Sequence, residues 1–189
     1  MKKELVRCTW SGNDELYLAY HDNEWGTPLH NDDKLFEFLI LESFQAGLSW
    51  ITILKKRENF REAFDNFKAE KVALYKDSKI ESLLQNEGII RNKAKIEAAI
   101  NNAQKYLEVK KEYGSFDKFI WQFVDYKTIK NQWKQSSEIP AITPGAVIMS
   151  KSLKRYGFKF IGPTTCYAFM QATGMVNDHL VSCFRYDKV

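Results

Sequence analysis

The sequence LFEFLILESFQAGLSWITIL, residues 35–54, is the longest predominantly apolar run in the chain. Several of its residues recur at helical spacing, which predicts that they share one buried face. These residues are Leu35, Phe38, Leu39, Glu42, Ala46, Ser49, Trp50 and Ile53. The residues Gln45, Ala46 and Gly47 interrupt the pattern, and glycine is the poorest ordinary helix former. The run therefore predicts a helix, a tight break and a second helix.

Glu42 is a carboxylate on this otherwise apolar face. An ionised glutamate is costly there unless it is paired or hydrogen-bonded. Glu42 is therefore either satisfied by a neighbour within the core or placed to meet a ligand. With Trp50 beyond the break, it would form a suitable receptor for a flat cationic heterocycle between the two helices. The residues alone leave both interpretations open.

Composition limits the class of protein. A chain of 189 residues with 44% hydrophobic content can bury a core and is expected to form one domain. No run approaches the roughly 20 apolar residues that cross a bilayer, and no signal peptide is evident. Three cysteines cannot all pair within the chain, which favours a reducing compartment and predicts a soluble, cytoplasmic protein. The net charge of +4 permits a nucleic-acid partner without requiring one.

Successive amphipathic patterns, separated by glycine, proline and capping residues, predict an all-α fold. The predicted helices span residues 32–54, 59–64, 68–74, 78–85, 92–113, 116–124, 143–156 and 164–173. The only loop-rich section, residues 134–145, is too short to separate independent domains. Residues 1–189 are therefore predicted to fold as one unit.

The N-terminal residues 8–26 are polar and aromatic, so they need something other than their own core to hold them. Cys8 and His21 near one end of the chain match His179 and Cys183 near the other, and the last two would share one face if their segment were helical. Two thiolates and two imidazoles are a standard closed zinc set. The alternative is a pair of packed thiols with two surface or capping histidines.

Aromatic side chains surround His21. Tyr17 and Tyr20 precede it at helical spacing, and Trp10 and Trp25 flank the segment. These rings are suited to one wall of a pocket that stacks a base against Trp50. The alternative is a small aromatic cluster that packs the N-terminus onto the helices.

Two later segments bear on nucleic acid. In residues 88–100, GIIRNKAKIEAAI, the cations Arg91, Lys93 and Lys95 lie at a helix start, where they oppose the helix dipole. An external anion would explain them, and a solvated charged face is the alternative.

The second segment is KSLKRYGFKFIGPTTCYAFMQATG, residues 151–174, which predicts a helix, a short hairpin and a second helix. Gly162 beside Pro163 would let backbone N–H groups approach a phosphate closely, and Thr164 and Thr165 open the second helix. Basic residues surround this hairpin: Lys151, Lys154, Arg155 and Lys159. The segment has the outline of a helix-hairpin-helix.

The motifs YHDNEWG, LESFQAGLSWITILKKRENF, GIIRNKAKI, GFKFIGPTTCYAFMQATG and VNDH resemble the type I family of bacterial DNA-3-methyladenine glycosylases. The resemblance runs from Cys8 to Cys183 and extends more widely to helix-hairpin-helix base-excision glycosylases. It implies an all-α fold in which the DNA hairpin and a base pocket lie between two helical lobes. It also implies a monomer that excises 3-methyladenine from alkylated double-stranded DNA.

The resemblance assigns roles to individual residues. It implies a structural zinc on Cys8, His21, His179 and Cys183. It implies base recognition and catalysis by Glu42, with Tyr17, Tyr20, Trp50 and Trp10 as substrate-binding residues. It places Gln45 and Leu48 against the gap left in DNA by the extruded nucleotide, with Lys159, Gly162, Thr164 and Thr165 on the phosphates.

The chain departs from related glycosylases at Asn177. Those enzymes carry a catalytic aspartate after the hairpin, whereas the VNDH motif has an amide there and shifts the carboxylate to Asp178. This difference implies a substrate range limited to cationic bases such as 3-methyladenine. Two other classes remain as alternatives: a zinc-stapled, non-catalytic DNA-binding module, and an RNA-modifying or nucleotide-salvage enzyme.

Overall fold

The computed structural model describes residues 5–189, and these are mostly helical. The helices are α1 Glu15–Asn23, α2 Asp32–Gln45, α3 Trp50–Lys55, α4 Arg57–Ala63, α5 Ala69–Val72, α6 Asp77–Gln85, α7 Lys93–Tyr113, α8 Phe116–Trp121, α9 Pro144–Arg155 and α10 Pro163–Ala172. Two short strands, β1 Ile129–Lys130 and β2 Val176–Asn177, pair in parallel with Ile129 opposite Val176. The mostly helical prediction is confirmed, and the strand pair was not predicted.

Helix α1 was also missing from the predicted helices. The Asp14 carboxylate caps its start by accepting hydrogen bonds from the backbone N–H groups of Leu16 and Tyr17. The helix is short, and buried Tyr20 and His21 lie among partly or fully exposed residues. Its apolar periodicity is therefore weak, which explains why the pattern did not reveal it.

Helix α2 lies at the centre of the fold, where it packs against α3, α7, α8 and α10. Every residue from 35 to 44 is buried. The prediction of a single buried face was therefore wrong, because neighbouring helices cover α2 on all sides. Ala46 and Ser49, which had been assigned to that face, are exposed in the loop after the helix.

The predicted break between α2 and α3 is confirmed. Helix α2 ends at Gln45, and Gly47 adopts a left-handed conformation with φ of +83°, which glycine tolerates without a steric penalty. Ser49 then precedes α3, which begins at Trp50. The chain reverses here within four residues, so that Glu42 and Trp50 are brought to the same region.

Lys95 supports this break from α7. Its buried ammonium donates hydrogen bonds to the backbone carbonyls of Phe44 and Ala46, at 2.8 and 2.7 Å. Carbonyls at a helix C-terminus lack intrahelical donors, so Lys95 supplies the hydrogen bonds that these two carbonyls at the end of α2 would otherwise lack. The external-anion explanation is therefore wrong for Lys95, whereas Arg91 and Lys93 are exposed.

The short connection between α9 and α10, residues 156–162, lies where the hairpin was predicted. Asn102 of α7 holds it from beneath, because the Asn102 side chain donates to the Lys159 carbonyl and accepts from the Lys159 N–H. Gly162 precedes α10 as its cap residue. The turn and the start of α10 are thus fixed relative to α7.

Within residues 5–189, no helix combines the length and the apolar character needed to cross a membrane.

Candidate functional site

A cavity of about 370 Å³ lies beside α1, the end of α2 and the inner face of α10. Aromatic side chains line much of it: Trp10, Tyr17, Tyr20, Trp25 and Trp50. Its other lining residues are Glu42, Gln45, Ser136, Ile139, Pro140, Ala141, Thr164, Tyr167, Ala168 and Gln171. The structure therefore brings Glu42 together with all four aromatic residues that were predicted to bind substrate.

The aromatic wall is a connected cluster. The Trp10 ring lies 5.0 Å from Tyr17 and 4.9 Å from Trp25, between ring centroids. The Tyr20 ring lies 5.5 Å from that of Trp50. Rings held in contact in this way are fixed in orientation and offer flat apolar faces to a ligand.

Glu42 is fully enclosed at the cavity, and its Oε2 has no hydrogen-bond partner among the described residues. Burial raises the pKa of this carboxyl to about 8. The indole N–H of Trp50 is also buried without a partner. Unpaired buried polar atoms destabilise a fold, so these two groups are suited to hydrogen bonds with a bound ligand.

Two of the tyrosines that line the larger cavity, Tyr17 and Tyr20, have raised pKa values for the same reasons. Burial is the main cause that raises the pKa of Tyr17 and of Tyr20, and the nearby Glu42 carboxylate raises both further. Both phenols therefore stay protonated at neutral pH. Each keeps an O–H group and an aromatic ring for contact with a ligand.

A smaller cavity of about 200 Å³ adjoins the first. It is lined by Glu42, Gln45, Ala46, Gly47, Leu48, Thr164, Thr165 and Ala168. The loop after α2 and the start of α10 therefore meet beside Glu42. Of the predicted DNA-binding residues, Lys159 and Gly162 line neither cavity and lie on the turn before α10.

Two parts of the cavity wall were not among the predicted base-binding residues. Thr164, Tyr167, Ala168 and Gln171 occupy one face of α10, and their spacing of three, four and seven residues contained that signal. The segment 136–141 carried no signal for a cavity, because its position depends on distant contacts. The pairing of β1 with β2 sets where this segment begins.

The four predicted metal ligands, Cys8, His21, His179 and Cys183, are all buried, and their candidate ligand atoms lie within 4.8 Å of one another. His179 Nδ1 is 3.6 Å from Cys8 Sγ and 3.5 Å from Cys183 Sγ. His21 Nε2 is 3.5 Å from Cys183 Sγ. This cluster could hold a metal ion. The segment after β2 forms turns rather than a helix, so a helical face does not explain the approach of His179 to Cys183.

In His21 and His179, the ring nitrogen that points away from the thiols lies within hydrogen-bonding distance of an oxygen atom. His21 Nδ1 lies 2.8 Å from Asp22 Oδ1, and Arg7 in turn donates to Asp22 at 2.7 Å. His179 Nε2 lies 3.1 Å from the Trp25 carbonyl oxygen. Partners of this kind fix the ring and turn the other nitrogen toward a metal. The donor set and its surroundings therefore fit a bound ion.

The two thiols share a hydrogen bond that shifts their pKa values in opposite directions. The hydrogen bond from the Cys8 thiol lowers the pKa of Cys183, with further help from His179 and His21. The same hydrogen bond raises the pKa of Cys8. The thiolate, which is the form that binds metal, is therefore favoured at Cys183.

Asn177 and Asp178 are buried, and neither lines either of the two cavities described above. The Asn177 amide donates to the carbonyls of Tyr186 and Val189, at 2.9 and 3.1 Å. Its oxygen accepts a hydrogen bond from the His179 N–H. Asn177 therefore holds the C-terminal segment next to the metal cluster.

Comparison with known proteins adds independent evidence. The family described as methyladenine glycosylase matches residues 10–186. DNA-3-methyladenine glycosylase 1 of Escherichia coli strain K12 is 51% identical over 182 residues, which cover 96% of this chain and 97% of the relative.

Solved structures agree with these matches. A crystal structure of 3-methyladenine DNA glycosylase I superposes with a TM-score of 0.93 at 50% identity, covering 95% of this chain and 98% of the other. A variant of 3-methyladenine DNA glycosylase I in complex with 3-methyladenine gives a TM-score of 0.92 at 43% identity, covering 94% and 96%. The chain belongs to the methyladenine glycosylase family, because the family model matches residues 10–186 and the sequence identity to a relative extends along nearly the whole chain.

Proposed function

We propose that this protein excises 3-methyladenine from alkylated double-stranded DNA by hydrolysing the N-glycosidic bond, which leaves an abasic site. One observation carries the proposal: the unpartnered Glu42 oxygen lies at a cavity walled by aromatic rings. Relatives that match this chain almost end to end are named for that activity.

The chemistry explains why such a pocket suffices. Methylation at N3 gives adenine a positive charge, so the base is already a good leaving group and needs no protonation. The enzyme must still take the nucleotide out of the stack, hold the base and lower the energy of an oxocarbenium-like sugar. Contacts that strengthen as the bond breaks accelerate this step.

The cavity suggests the division of roles. Glu42 hydrogen-bonds the edge of the adenine ring, while Tyr17, Tyr20 and Trp50 stack on the base or close over it, and Trp10 backs this wall. Each contact between a base and an aromatic ring contributes about 1–3 kcal/mol. The measured contacts of Trp10 with Tyr17 and of Tyr20 with Trp50 support a wall that is ordered before the base arrives.

The DNA-binding surface follows from the position of the second cavity. Gln45 and Leu48 lie on the exposed loop after α2, and in this proposal they face the gap left by the extruded nucleotide. Helices α9 and α10 with their turn act as a helix-hairpin-helix. Lys159, Gly162, Thr164 and Thr165 contact the phosphates, and the N-terminus of α10 favours negative charge.

The metal cluster suggests a structural zinc. For zinc–sulfur bonds of about 2.3 Å and zinc–nitrogen bonds of about 2.0 Å, a tetrahedral site has sulfur–nitrogen edges of about 3.5 Å. The corresponding separations in the cluster are 3.5 and 3.6 Å. Four protein ligands would leave no open position, so the zinc holds the N-terminal segment and takes no part in the reaction.

The substrate range follows from the lining of the two cavities. An uncharged purine needs help from a carboxylate near the sugar. Glu42 is the only carboxylate among the described residues that line these cavities, and Asn177 and Asp178 lie outside both linings. We therefore expect release of 3-methyladenine, weak release of 3-methylguanine, and essentially none of hypoxanthine. The pocket should also disfavour 7-methylguanine, because its edge differs from that of adenine.

A base-release assay tests the proposal. Duplex DNA that carries these four lesions is incubated with excess protein, and the released bases are separated by chromatography. Wild-type protein should release 3-methyladenine, whereas Glu42→Gln should lose most release and keep its affinity for undamaged duplex, which depends on phosphate contacts. No release by the wild type would favour a non-catalytic DNA-binding module, and comparable release of hypoxanthine would refute the narrow substrate range.

We further propose that the protein works in the cytoplasm as a monomer formed by one folded unit. Three free, buried cysteines support a reducing compartment. A single hydrophobic cluster that includes residues from Cys8 to Cys183 supports one unit. Sedimentation equilibrium of the metal-bound protein should give one species near 22.1 kDa.

A further inference from the structure

Asp178 is a buried carboxylate directly behind the wall of the larger cavity, and the proposed reaction leaves it without a role. Its Oδ1 accepts hydrogen bonds from the Asn131 amide and the Trp133 indole, both at 2.7 Å. Its Oδ2 accepts from the Tyr167 hydroxyl at 2.5 Å and from the Gln171 amide at 2.8 Å. Each oxygen therefore has two donors, which fills the acceptor capacity of an ionised carboxylate.

The donors come from two separate parts of the cavity wall. Tyr167 and Gln171 lie on α10 and line the cavity themselves. Asn131 and Trp133 lie just before the segment 136–141, which lines the cavity from another side. One carboxylate therefore joins two wall segments that are distant in the sequence.

Backbone hydrogen bonds alone do not fix these side chains. The Asn131 N–H donates to the Asn177 carbonyl and the Val181 N–H to the Trp133 carbonyl, which holds the chain in place. The ring of Tyr167 and the amide of Gln171 could still rotate. Because Gln171 donates its Nε2 to Asp178, its Oε1 is left as the group that can accept a hydrogen bond at the cavity.

We propose that Asp178 is a positioning residue that orients Tyr167, Gln171 and the segment 136–141, and so sets how tightly the pocket holds the excised base. This inference rests on the proposed function. Asp178 does not act on the sugar, since both of its oxygens are occupied and it lines neither cavity. The carboxylate at position 178 thus supports the wall of the pocket through its four donors.

The variant Asp178→Asn tests this with little change in volume. The new NH₂ group faces donors and cannot accept, so at least two of the four hydrogen bonds are lost. We expect the Kd for free 3-methyladenine, followed by tryptophan fluorescence, to rise about tenfold or more. The single-turnover release rate should fall by a similar factor, and the Kd for undamaged duplex should stay within about twofold of wild type.

The alternative role predicts a different result. A carboxylate that stabilises the sugar cation would lower the release rate by far more than it weakens base binding. A large loss of release rate at an unchanged Kd for 3-methyladenine would therefore overturn the proposal. A release rate and a Kd that both stay at their wild-type values would also overturn it.

Two further variants keep the test decisive if Asp178→Asn unfolds or loses its metal, since Asp178 precedes His179. Trp133→Phe removes one donor to Asp178 and leaves every cavity-lining residue in place, so it should raise the Kd for 3-methyladenine several-fold with the metal retained. An unchanged Kd for Trp133→Phe would count against the proposal.

Tyr167→Phe removes a second donor to Asp178, this time from the cavity wall itself. In a double-mutant cycle with Trp133→Phe, the two effects on the Kd should be non-additive, because both act through the same carboxylate. Strict additivity would overturn the proposal.

The experiments also separate the two proposals. If wild-type protein fails to bind or release 3-methyladenine, the proposed function fails. If the wild type is active and the variants are unaffected, only the role of Asp178 is refuted.

Discussion

Glu42 is held in a setting that favours its neutral form, and this has a consequence for stability. Burial raises the pKa from the model-peptide value of 4.5 to about 8 in the folded protein. Between about pH 4.5 and pH 8 the folded state therefore binds more protons at this group than the unfolded state. Its contribution to the free energy of unfolding falls as pH rises through that window, by up to about 1.4 kcal/mol per pH unit.

The variant Glu42→Gln lacks this titration. The difference in unfolding free energy between the variant and wild type should therefore grow in favour of the variant from pH 5 to pH 8. Urea denaturation of both proteins at several pH values measures the difference, and effects of the metal cluster common to both proteins cancel. A difference that does not vary with pH would contradict the raised pKa of Glu42.

Lys95 and Lys93 form a matched pair on the first turn of α7. Lys95 is buried and donates to two carbonyls at the end of α2, whereas Lys93 is exposed and lies 3.9 Å from Glu97. Lys95→Met leaves both carbonyls unsatisfied and should lower the free energy of unfolding by about 1–3 kcal/mol. Lys93→Met should change it by less than about 0.5 kcal/mol.

Urea denaturation compares the two variants, and hydrogen exchange at residues 46–49 shows whether the loop after α2 has loosened. Faster exchange in Lys95→Met alone is the expected result. Equal stability losses in both variants would mean that the two carbonyls find other partners.

At the scale of elements, α10 contributes to the candidate site in two ways. Its side face lines the larger cavity, and its N-terminus adjoins the smaller one. Helix α7 supports both regions, since Lys95 holds the end of α2 and Asn102 holds the turn before α10. The rigid helices therefore set the position of the two loops that are proposed to meet DNA.

Gly162, the cap residue of α10, provides a test of that contact. Its φ of −78° suits any residue, and an added Cβ would meet no atom of the described residues within 4 Å. Gly162→Ala should therefore change the free energy of unfolding by no more than about 1 kcal/mol, because the lower entropy of the unfolded chain is opposed by the preference for glycine over alanine at a helix N-cap. If a phosphate approaches this backbone closely, the same methyl group should weaken binding to undamaged duplex.

Fluorescence anisotropy over a range of salt concentrations measures this binding. Wild-type affinity should fall steeply with salt, because released counterions accompany each phosphate contact. Gly162→Ala should bind more weakly at every salt concentration. Wild-type affinity in the variant would remove Gly162 from the interface.

At the scale of the whole molecule, the metal cluster joins the two ends of the chain. Cys8 and His21 flank the segment that supplies Trp10, Tyr17 and Tyr20 to the cavity wall, and that segment has little core of its own. Holding the ends together therefore also holds one wall of the cavity. If zinc occupies the cluster as proposed, the stability of the pocket should depend on it, although none of the four cluster residues lines the cavity.

Under the proposed zinc assignment, Cys8→Ser should lose the zinc, lower the free energy of unfolding by several kcal/mol and weaken binding of 3-methyladenine. Cys166→Ser is the matched control, because Cys166 is also buried but lies outside the cluster. It should retain about one zinc per chain by elemental analysis. Full stability and base affinity in Cys8→Ser would show that the thiols merely pack.

Much of the architecture was readable from local patterns. Helical periodicity, the glycine at position 47 and the proline that opens α10 are local signals, so most helices and the break beside Glu42 were predicted correctly, whereas α1 was missed. The candidate metal ligands were likewise recognisable by their chemistry and by family resemblance; they are Cys8, His21, His179 and Cys183. The roles assigned to individual site residues stay predictions until the variants are measured.

Other features depend on contacts between residues far apart in the chain, which no local pattern encodes. The burial of α2 on every side requires four neighbouring helices, and Lys95 reaches Phe44 across 51 positions. Asp178 meets Asn131 across 47 positions. A buried charge must find its hydrogen-bond partners wherever the folded chain brings donors or acceptors near, so the roles of Lys95 and Asp178 emerged only once the helices had packed.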